Sequence, residues 1–365
     1  MHLDGEVARR YEPVREAFAA VVAGQPGTGA AVAVWQGGEL VVDLWGGHAD
    51  AAGTRPWQRD SVVQPYSVTK PFAAVAALLL ADRGLLDLDA PARRYWPELR
   101  AAATVREVLS HQAGVVALDE PADTTAFYDW DRMCALLAAQ EPSWPPGTAH
   151  GESALFYGHL VGELVRRVDG RGLGRFLREE VCGPLGLDFA VGLTPAEAAR
   201  AVELTGLDER FRRETVAGRP ELYARAIANP PGAQDPAVVN GAAWRAAEVP
   251  AINGHGSARA LAGFYGALLS GRLLSAAMLR EATTAASRGT DRVFGHENAW
   301  GLGFAVYDDN GVDAGFGMGG LGGSYAGAPD GYAIGFVTGS MGDHDRVDRV
   351  ENAFRACAGL PPLAP

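Results

Sequence analysis

Strand-like segments stand at both ends of this chain and helical ones fill its middle, an order that removes most fold classes at once. Near the start, the apolar runs Ala30–Trp35 and Glu39–Leu44 flank Gln36-Gly37-Gly38, which predicts a hairpin with glycine at its turn. Toward the end, Trp300–Tyr307, the glycine-rich segment 315–323 and Tyr332–Thr338 predict further strands, with Asp308-Asp309-Asn310-Gly311 as a hairpin turn. Between them, Phe72–Leu80, Met133–Gln140, Leu155–Val168, Leu173–Val181 and Arg259–Leu269 have helical patterning, broken by Pro and Gly. Val7–Ala23 and Val347–Ala358 predict amphipathic helices at the two ends, and residues 208–257 read as long loops. The simplest arrangement is an α/β (α+β-type) fold: one antiparallel sheet built from both ends, flanked by helices, with an inserted helical lobe. It predicts one domain, with an α/β lobe from about 1–62 and 258–365 and a helical lobe from about 63–257.

Composition narrows the class of partner. The 365 residues are 48% apolar and 21% charged, as in an ordinary globular protein. A net charge of −12 opposes non-specific nucleic-acid binding, which needs positive surface to displace counterions. No run approaches the roughly 18 apolar residues of a membrane span. Met1-His2-Leu3-Asp4-Gly5-Glu6 lacks the basic-then-apolar pattern of a secretory signal. Cys134, Cys182 and Cys357 are odd in number and far apart, so free thiols and a cytoplasmic location are expected.

The sharpest chemical feature is Ser67-Val68-Thr69-Lys70, followed by Pro71 and the apolar run. Proline is tolerated in a helix's first turn and breaks its interior, so the helix must begin near Ser67. Positions i and i+3 share a face, which brings Lys70 to the Ser67 hydroxyl. A serine is a weak nucleophile until a neighbouring group takes its proton. A lysine does so only when burial or a positive neighbour lowers its pKa. Amides at a helix N-terminus also point outward, toward a developing oxyanion.

Four segments occur in a telling order: Pro65-Tyr66-Ser67-Val68-Thr69-Lys70-Pro71, Leu109-Ser110-His111-Gln112-Ala113-Gly114, Pro146-Gly147-Thr148 and Gly317-Met318-Gly319-Gly320-Leu321-Gly322-Gly323. Together they resemble the serine β-lactamase-like superfamily, in its branch of class C β-lactamases, family VIII carboxylesterases and related acyltransferases. The resemblance covers roughly Ala30 to Met341. It implies a catalytic cleft between an α/β part and a helical part. It makes Ser67 the acylated nucleophile, Lys70 its partner base, and the amides of Ser67 and Leu321 the oxyanion hole. The family's second motif carries a tyrosine a few residues after Pro-Gly-Thr; that position falls on Glu152. Its third is Lys-Thr-Gly or His-x-Gly; here it reads Met318-Gly319-Gly320.

Two of the three motifs have thus lost their usual polar side chain. If Glu152 faces Lys70, it holds the ammonium charged and can itself take a proton. Otherwise Glu152 points to solvent and Tyr157, Tyr66 or water fills the vacancy, or the site is inactive. Met318 lacks the cation that binds a penicillin's carboxylate, which favours a neutral ester, thioester or amide, with Met318 as an apolar wall. The glycines around Leu321 either let a substrate approach the strand or simply make a bulge. His150 can reach the site or stand in a surface loop; His111 reads as structural, and His255 as at most a cleft edge. No H-x-x-x-H, C-x-x-C, G-x-S-x-G or phosphate-binding loop occurs, so no metal, cofactor or nucleotide is expected. The expected function is acyl transfer through acyl-Ser67. The partners are a small acyl donor and water, or an amine or alcohol acceptor. Tyr66, Tyr157, His150, Met318, Gly319 and Gly320 are the expected substrate contacts. The rivals are a catalytically silent binding protein of the same fold and, less favoured, a true β-lactamase.

Overall fold

The two ends of the chain meet in the middle of one sheet. The computed structural model describes residues 2–25, 27–309 and 312–363. Among them, nine antiparallel strands form that sheet: β1 (Leu3–Val7), β2 (Ala30–Gln36), β3 (Glu39–Gly46), β4 (Ser287–Thr290), β5 (Glu297–Trp300), β6 (Ala305–Asp309), β7 (Val312–Gly319), β8 (Tyr325–Pro329) and β9 (Tyr332–Thr338). Their order is β1-β3-β2-β9-β8-β7-β6-β5-β4, so β2 from the start pairs with β9 from the end. The β2–β3 turn requires left-handed backbone, and Gly37 (φ 63°) and Gly38 (φ 86°) supply it. The Asn310-Gly311 turn lies outside the described residues.

Alternation along β2 and β9 decides how the faces are covered. Val32, Val34, Ile334 and Phe336 meet α1 (Glu12–Ala23) and the last helix, Asp345–Ala358, through Phe18, Val22, Val350 and Phe354. The opposite face offers Ala31, Ala33, Ala333 and Gly335, small residues that let the helix Ala258–Leu269 lie close. A Cβ on Gly335 would stand 2.5 Å from Ala258 O. With both faces buried, these strands read as unbroken apolar runs.

Inside the helical part, α2 (Lys70–Asp82) has every residue from Lys70 to Leu80 buried, the mark of a core helix. Pro71 sits in its first turn, as the sequence requires. It packs against α3 (Tyr157–Asp169). Among the described residues no helix is long and apolar enough to cross a membrane.

Three readings need correction. Val7 does not open a helix; it ends β1, whose half-buried Leu3, Gly5 and Val7 alternate with exposed Asp4 and Glu6. Five such residues carry little signal, and pairing with β3 makes the strand. Trp300–Tyr307 is two strands, split where Gly303 adopts φ 90° against Ala74. Residues 208–257 are not structureless: they contain α4 (Glu209–Val216), α5 (Glu221–Ala228) and short helices Pro236–Val239 and Ala242–Ala246. α4 has no apolar stripe to read. It is held by the Asp208 cap on Phe211 N (2.8 Å) and by the ion pairs Arg210–Glu214 and Arg213–Glu209.

Candidate active site

Ser67 stands in a tight turn, Tyr66–Thr69, that runs straight into α2. Tyr66, just before it, has φ 48°, a left-handed conformation uncommon for a bulky residue. The buried Tyr66 phenol donates to Ala233 O at 3.1 Å, so packing and a hydrogen bond hold that conformation. Lys70 Nζ lies 2.7 Å from Ser67 Oγ, as i, i+3 spacing dictates. Lys70 is completely buried, and its ammonium also donates to Ala154 O (3.1 Å) and Ala251 O (3.3 Å).

Glu152 turns inward. Its Oε1 lies 2.8 Å from Lys70 Nζ and accepts from Ser67 Oγ at 3.2 Å. Three successive amides fix it there: Gly151 N donates to His111 O (3.0 Å), Glu152 N to Asp291 Oδ2 (2.9 Å) and Ser153 N to His111 Nδ1 (3.2 Å). The balance on Lys70 differs from expectation. Burial lowers the ammonium's pKa from the ordinary lysine value, and the Glu152 carboxylate opposes this without reversing it. A fully buried amine loses more hydration than one carboxylate restores.

Ser67, Glu152, Tyr66, Met318, Gly319, Gly320 and Leu321 all line one cleft of about 920 Å³. Gly320 belongs to the turn after β7, against the nucleophile's own turn: a Cβ there would stand 2.0 Å from Pro65 O. At Gly319 it would meet His344 Nε2 at 3.0 Å, and at Gly322 Met341 Sδ at 2.2 Å. The protein's own neighbours thus require Gly320 and Gly322, and crowd position 319 through a side chain that can move. Among the described residues, neither the Ser67 amide nor the Leu321 amide donates to a protein acceptor.

Two expected substrate contacts lie elsewhere. Tyr157 is fully buried at the start of α3, and its phenol donates to Leu109 O at 3.0 Å. His150 is buried beneath the cleft wall, with Nε2 2.7 Å from Asn298 Oδ1. His111 packs between the rings of Tyr157 and Trp300, and burial pushes its pKa well below the usual histidine value. His255 is buried, with Nδ1 2.8 Å from Asn253 O. Among the described residues no group of three His, Cys, Asp or Glu side chains is placed to hold a metal.

Sequence reasoning missed Asp291. This fully buried carboxylate accepts from Glu152 N, Val293 N and Phe294 N, and from Asn298 Nδ2 at 3.2 Å. Asn298 in turn meets His150, so a polar chain runs behind Glu152. An Asp that accepts the amides two and three residues ahead is a recognisable turn signal, but the link back to position 152 spans 139 residues. The far wall was missed as well: α4 and α5 and the turn between them contribute Phe211, Thr215, Arg219, Tyr223 and Ile227.

The family model described as Beta-lactamase matches residues 14–360. The chain belongs to the beta-lactamase family. Esterase/beta-lactamase LipL of Mycobacterium tuberculosis is 35% identical over 353 residues, covering 88% of this chain and 78% of that protein. A crystal structure of a family VIII carboxylesterase superposes with a TM-score of 0.88 at 37% identity, covering 98% of this chain and 100% of the other. A penicillin-binding-protein homologue from Caulobacter crescentus superposes at 0.87 with 34% identity, covering 98% and 100%. This family assignment agrees with the motif order in the sequence.

Proposed function

We propose that the protein is a serine esterase that forms an acyl-Ser67 intermediate with small esters uncharged at the scissile bond. One observation carries this reading: Ser67 Oγ is shared between a buried ammonium at 2.7 Å and a carboxylate oxygen at 3.2 Å. The similarity to LipL and to a family VIII carboxylesterase supports the same chemistry. Met318 offers no charge beside the nucleophile, which favours esters over penicillin-like anions. Three free cysteines support a cytoplasmic setting.

The proton assignments follow from the donors. As an ammonium beside the Glu152 carboxylate, Lys70 shares three N–H groups among Ser67 Oγ, Glu152 Oε1 and two main-chain carbonyls, and in that charged form it has no lone pair to offer. Glu152 Oε1 is therefore the acceptor for the hydroxyl proton. In acylation, Ser67 Oγ bonds to the ester carbonyl carbon and its proton passes to Glu152. The tetrahedral oxyanion rests on the Ser67 and Leu321 amides. The C–O bond to the alcohol then breaks, and Glu152 returns the proton to the leaving oxygen. Water repeats the sequence: its proton goes to Glu152, its oxygen bonds to the acyl carbon, and the proton ends on Ser67. Lys70 stays charged and stabilises both alkoxide-like moments. An amine or alcohol can replace water in the second half, and product partition with an added amine separates transfer from hydrolysis.

The test is intact-protein mass spectrometry after p-nitrophenyl butyrate and, separately, a fluorophosphonate. A one-to-one adduct is expected in the wild type and absent in Ser67→Ala. A folded wild-type protein that takes up neither reagent would overturn the reading in favour of a silent binding protein.

A further inference from the structure

The wall of the cleft formed by α4 and α5 holds a group that the ester reading leaves without a task. Arg219, in the turn between these helices, lines the same cavity as Ser67. Among the described lining residues it is the only arginine or lysine. Two rings hold its guanidinium, whose Cζ lies 5.6 Å from the Tyr223 centroid and 5.3 Å from that of Phe294. Nη1 donates to Phe294 O at 3.0 Å and lies 3.3 Å from His296 Nδ1. Gly295, with φ 78°, lets this loop meet Pro220, because a Cβ there would stand 2.9 Å from the proline ring. Arg219 and His296 are exposed, and the two rings and one main-chain carbonyl orient the guanidinium at the cleft surface.

Its hydrogen bonding leaves donors over. A guanidinium cannot accept, so His296 Nδ1 is the acceptor and the ring carries its proton at Nε2. Arg219 Nε and Nη2 have no acceptor among the described residues, and Arg219 pairs with no carboxylate there. The carboxylates of the cleft are Glu152, Glu214 and Asp343. Glu152 is engaged by Lys70 at 2.8 Å and Glu214 by Arg210 at 2.8 Å. Asp343 belongs to the segment packed over Gly323. An arginine fork with its remaining N–H groups free, beside an imidazole N–H, has the donor pattern that carboxylates fit.

We propose that Arg219 and His296 form a carboxylate-binding subsite, so the preferred substrates are esters bearing a carboxylate remote from the scissile bond. The inference rests on the esterase reading above for its kinetic test. It is compatible with Met318, which removes positive charge only beside the nucleophile. The carboxylate can sit on the acyl side or the alcohol side of the ester, and the test separates the two.

The acyl-side substrate is the mono-p-nitrophenyl ester of adipic acid, and the alcohol-side one is 6-(butyryloxy)hexanoate. Each is compared with the primary amide of its terminal carboxyl. A preference in kcat/KM of at least about tenfold for one carboxylate over its amide is expected, of the order a charge-assisted pair provides. That ratio should fall to about one in Arg219→Gln and to an intermediate value in Arg219→Lys or His296→Phe. Both substrates are measured on the same protein, so the ratio is insensitive to partial misfolding. A wild-type ratio near one with both esters, or a preference that survives Arg219→Gln, would overturn the subsite. Calorimetry with adipate alone provides a readout without turnover: binding to the wild type that is lost in Arg219→Gln supports the subsite, and equal or absent binding overturns it. If no ester is hydrolysed, the esterase reading fails while the adipate result still decides the subsite.

Discussion

Two walls of the cleft, the reactive one and the one made by α4 and α5, are built from different material. At the reactive wall, Ser67, Lys70 and Glu152 grow out of a helix that is apolar on every side and a segment whose three amides are individually bonded. On another wall, two short helices and the turn between them bring Phe211, Arg219 and Tyr223 to the same cavity. The first is over-determined by the core; at the second, α4 is held by a cap and exposed ion pairs, while α5 packs Tyr223 and Ala226 into a small cluster with Val116, Trp144 and Val293. Chemistry is therefore anchored in the main core, and recognition on a wall where exposed α4 and Arg219 are cheaper to change than buried Tyr223.

That contrast can be broken most decisively at its rigid wall. Lys70→Met should lower kcat/KM by about a thousandfold or more, because it removes the charge that stabilises both alkoxide-like states. Glu152→Gln should cost at least about a hundredfold in kcat, the usual worth of a positioned general base, in single-turnover measurements. A wild-type rate in that variant would make the carboxylate a bystander. Asp291→Ala should act one layer back. It strips acceptors from several buried N–H groups and should lower stability by about 3 kcal/mol in urea unfolding. In the fraction that folds, kcat should fall with KM little changed, because Glu152 loses its tether. At the far wall, Tyr223→Ala should raise KM severalfold and leave kcat within about twofold. A drop in kcat equal to that of Glu152→Gln would show that the two walls are one machine.

The smallest effect lies outside the cleft. Burial pushes the Glu351 carboxyl up to about 7, where it accepts a hydrogen bond from Tyr332 behind the sheet. A carboxyl whose folded pKa exceeds its unfolded value stabilises the fold at low pH, and that contribution fades as pH rises through 7. Thermal midpoints should therefore fall modestly from pH 5 to 8, and Glu351→Gln should flatten the slope without touching turnover.

How much of this was legible in the sequence follows the same division. Strands β2 and β9, α2 and the Ser67–Lys70 pair were readable because periodicity and Pro71 state them locally. Glu152 could be located by counting from Pro146-Gly147-Thr148, but its inward orientation depends on His111 and Asp291, 41 and 139 residues away, and that distance hides it. Tyr157 and His150 misled for a related reason. Both lie close to Glu152 in sequence, yet α3 carries Tyr157 into the core, and His150 turns behind the wall to Asn298. α4 was invisible because its only large apolar residues, Phe211 and Val216, are five apart and make no helical stripe, the helix being stabilised by a cap and ion pairs. Met318 and Gly319 were recognised as departures from a motif, but nothing local announced that His344 would stand over Gly319.

The near-contact between Gly320 and Pro65 bears on how such a site can diversify. A residue whose Cβ would meet a main-chain oxygen at 2.0 Å cannot vary without moving the nucleophile's turn. Position 319 faces a side chain, His344 Nε2 at 3.0 Å, and can accept a small residue if that ring swings aside. Position 318 already carries a side chain, a buried and flexible thioether lining the cleft, so it can exchange one side chain for another of similar size. A library over these three positions would then yield folded, active clones that differ almost entirely at one of them. The strand thus offers evolution a single dial for tuning the chemistry beside the nucleophile.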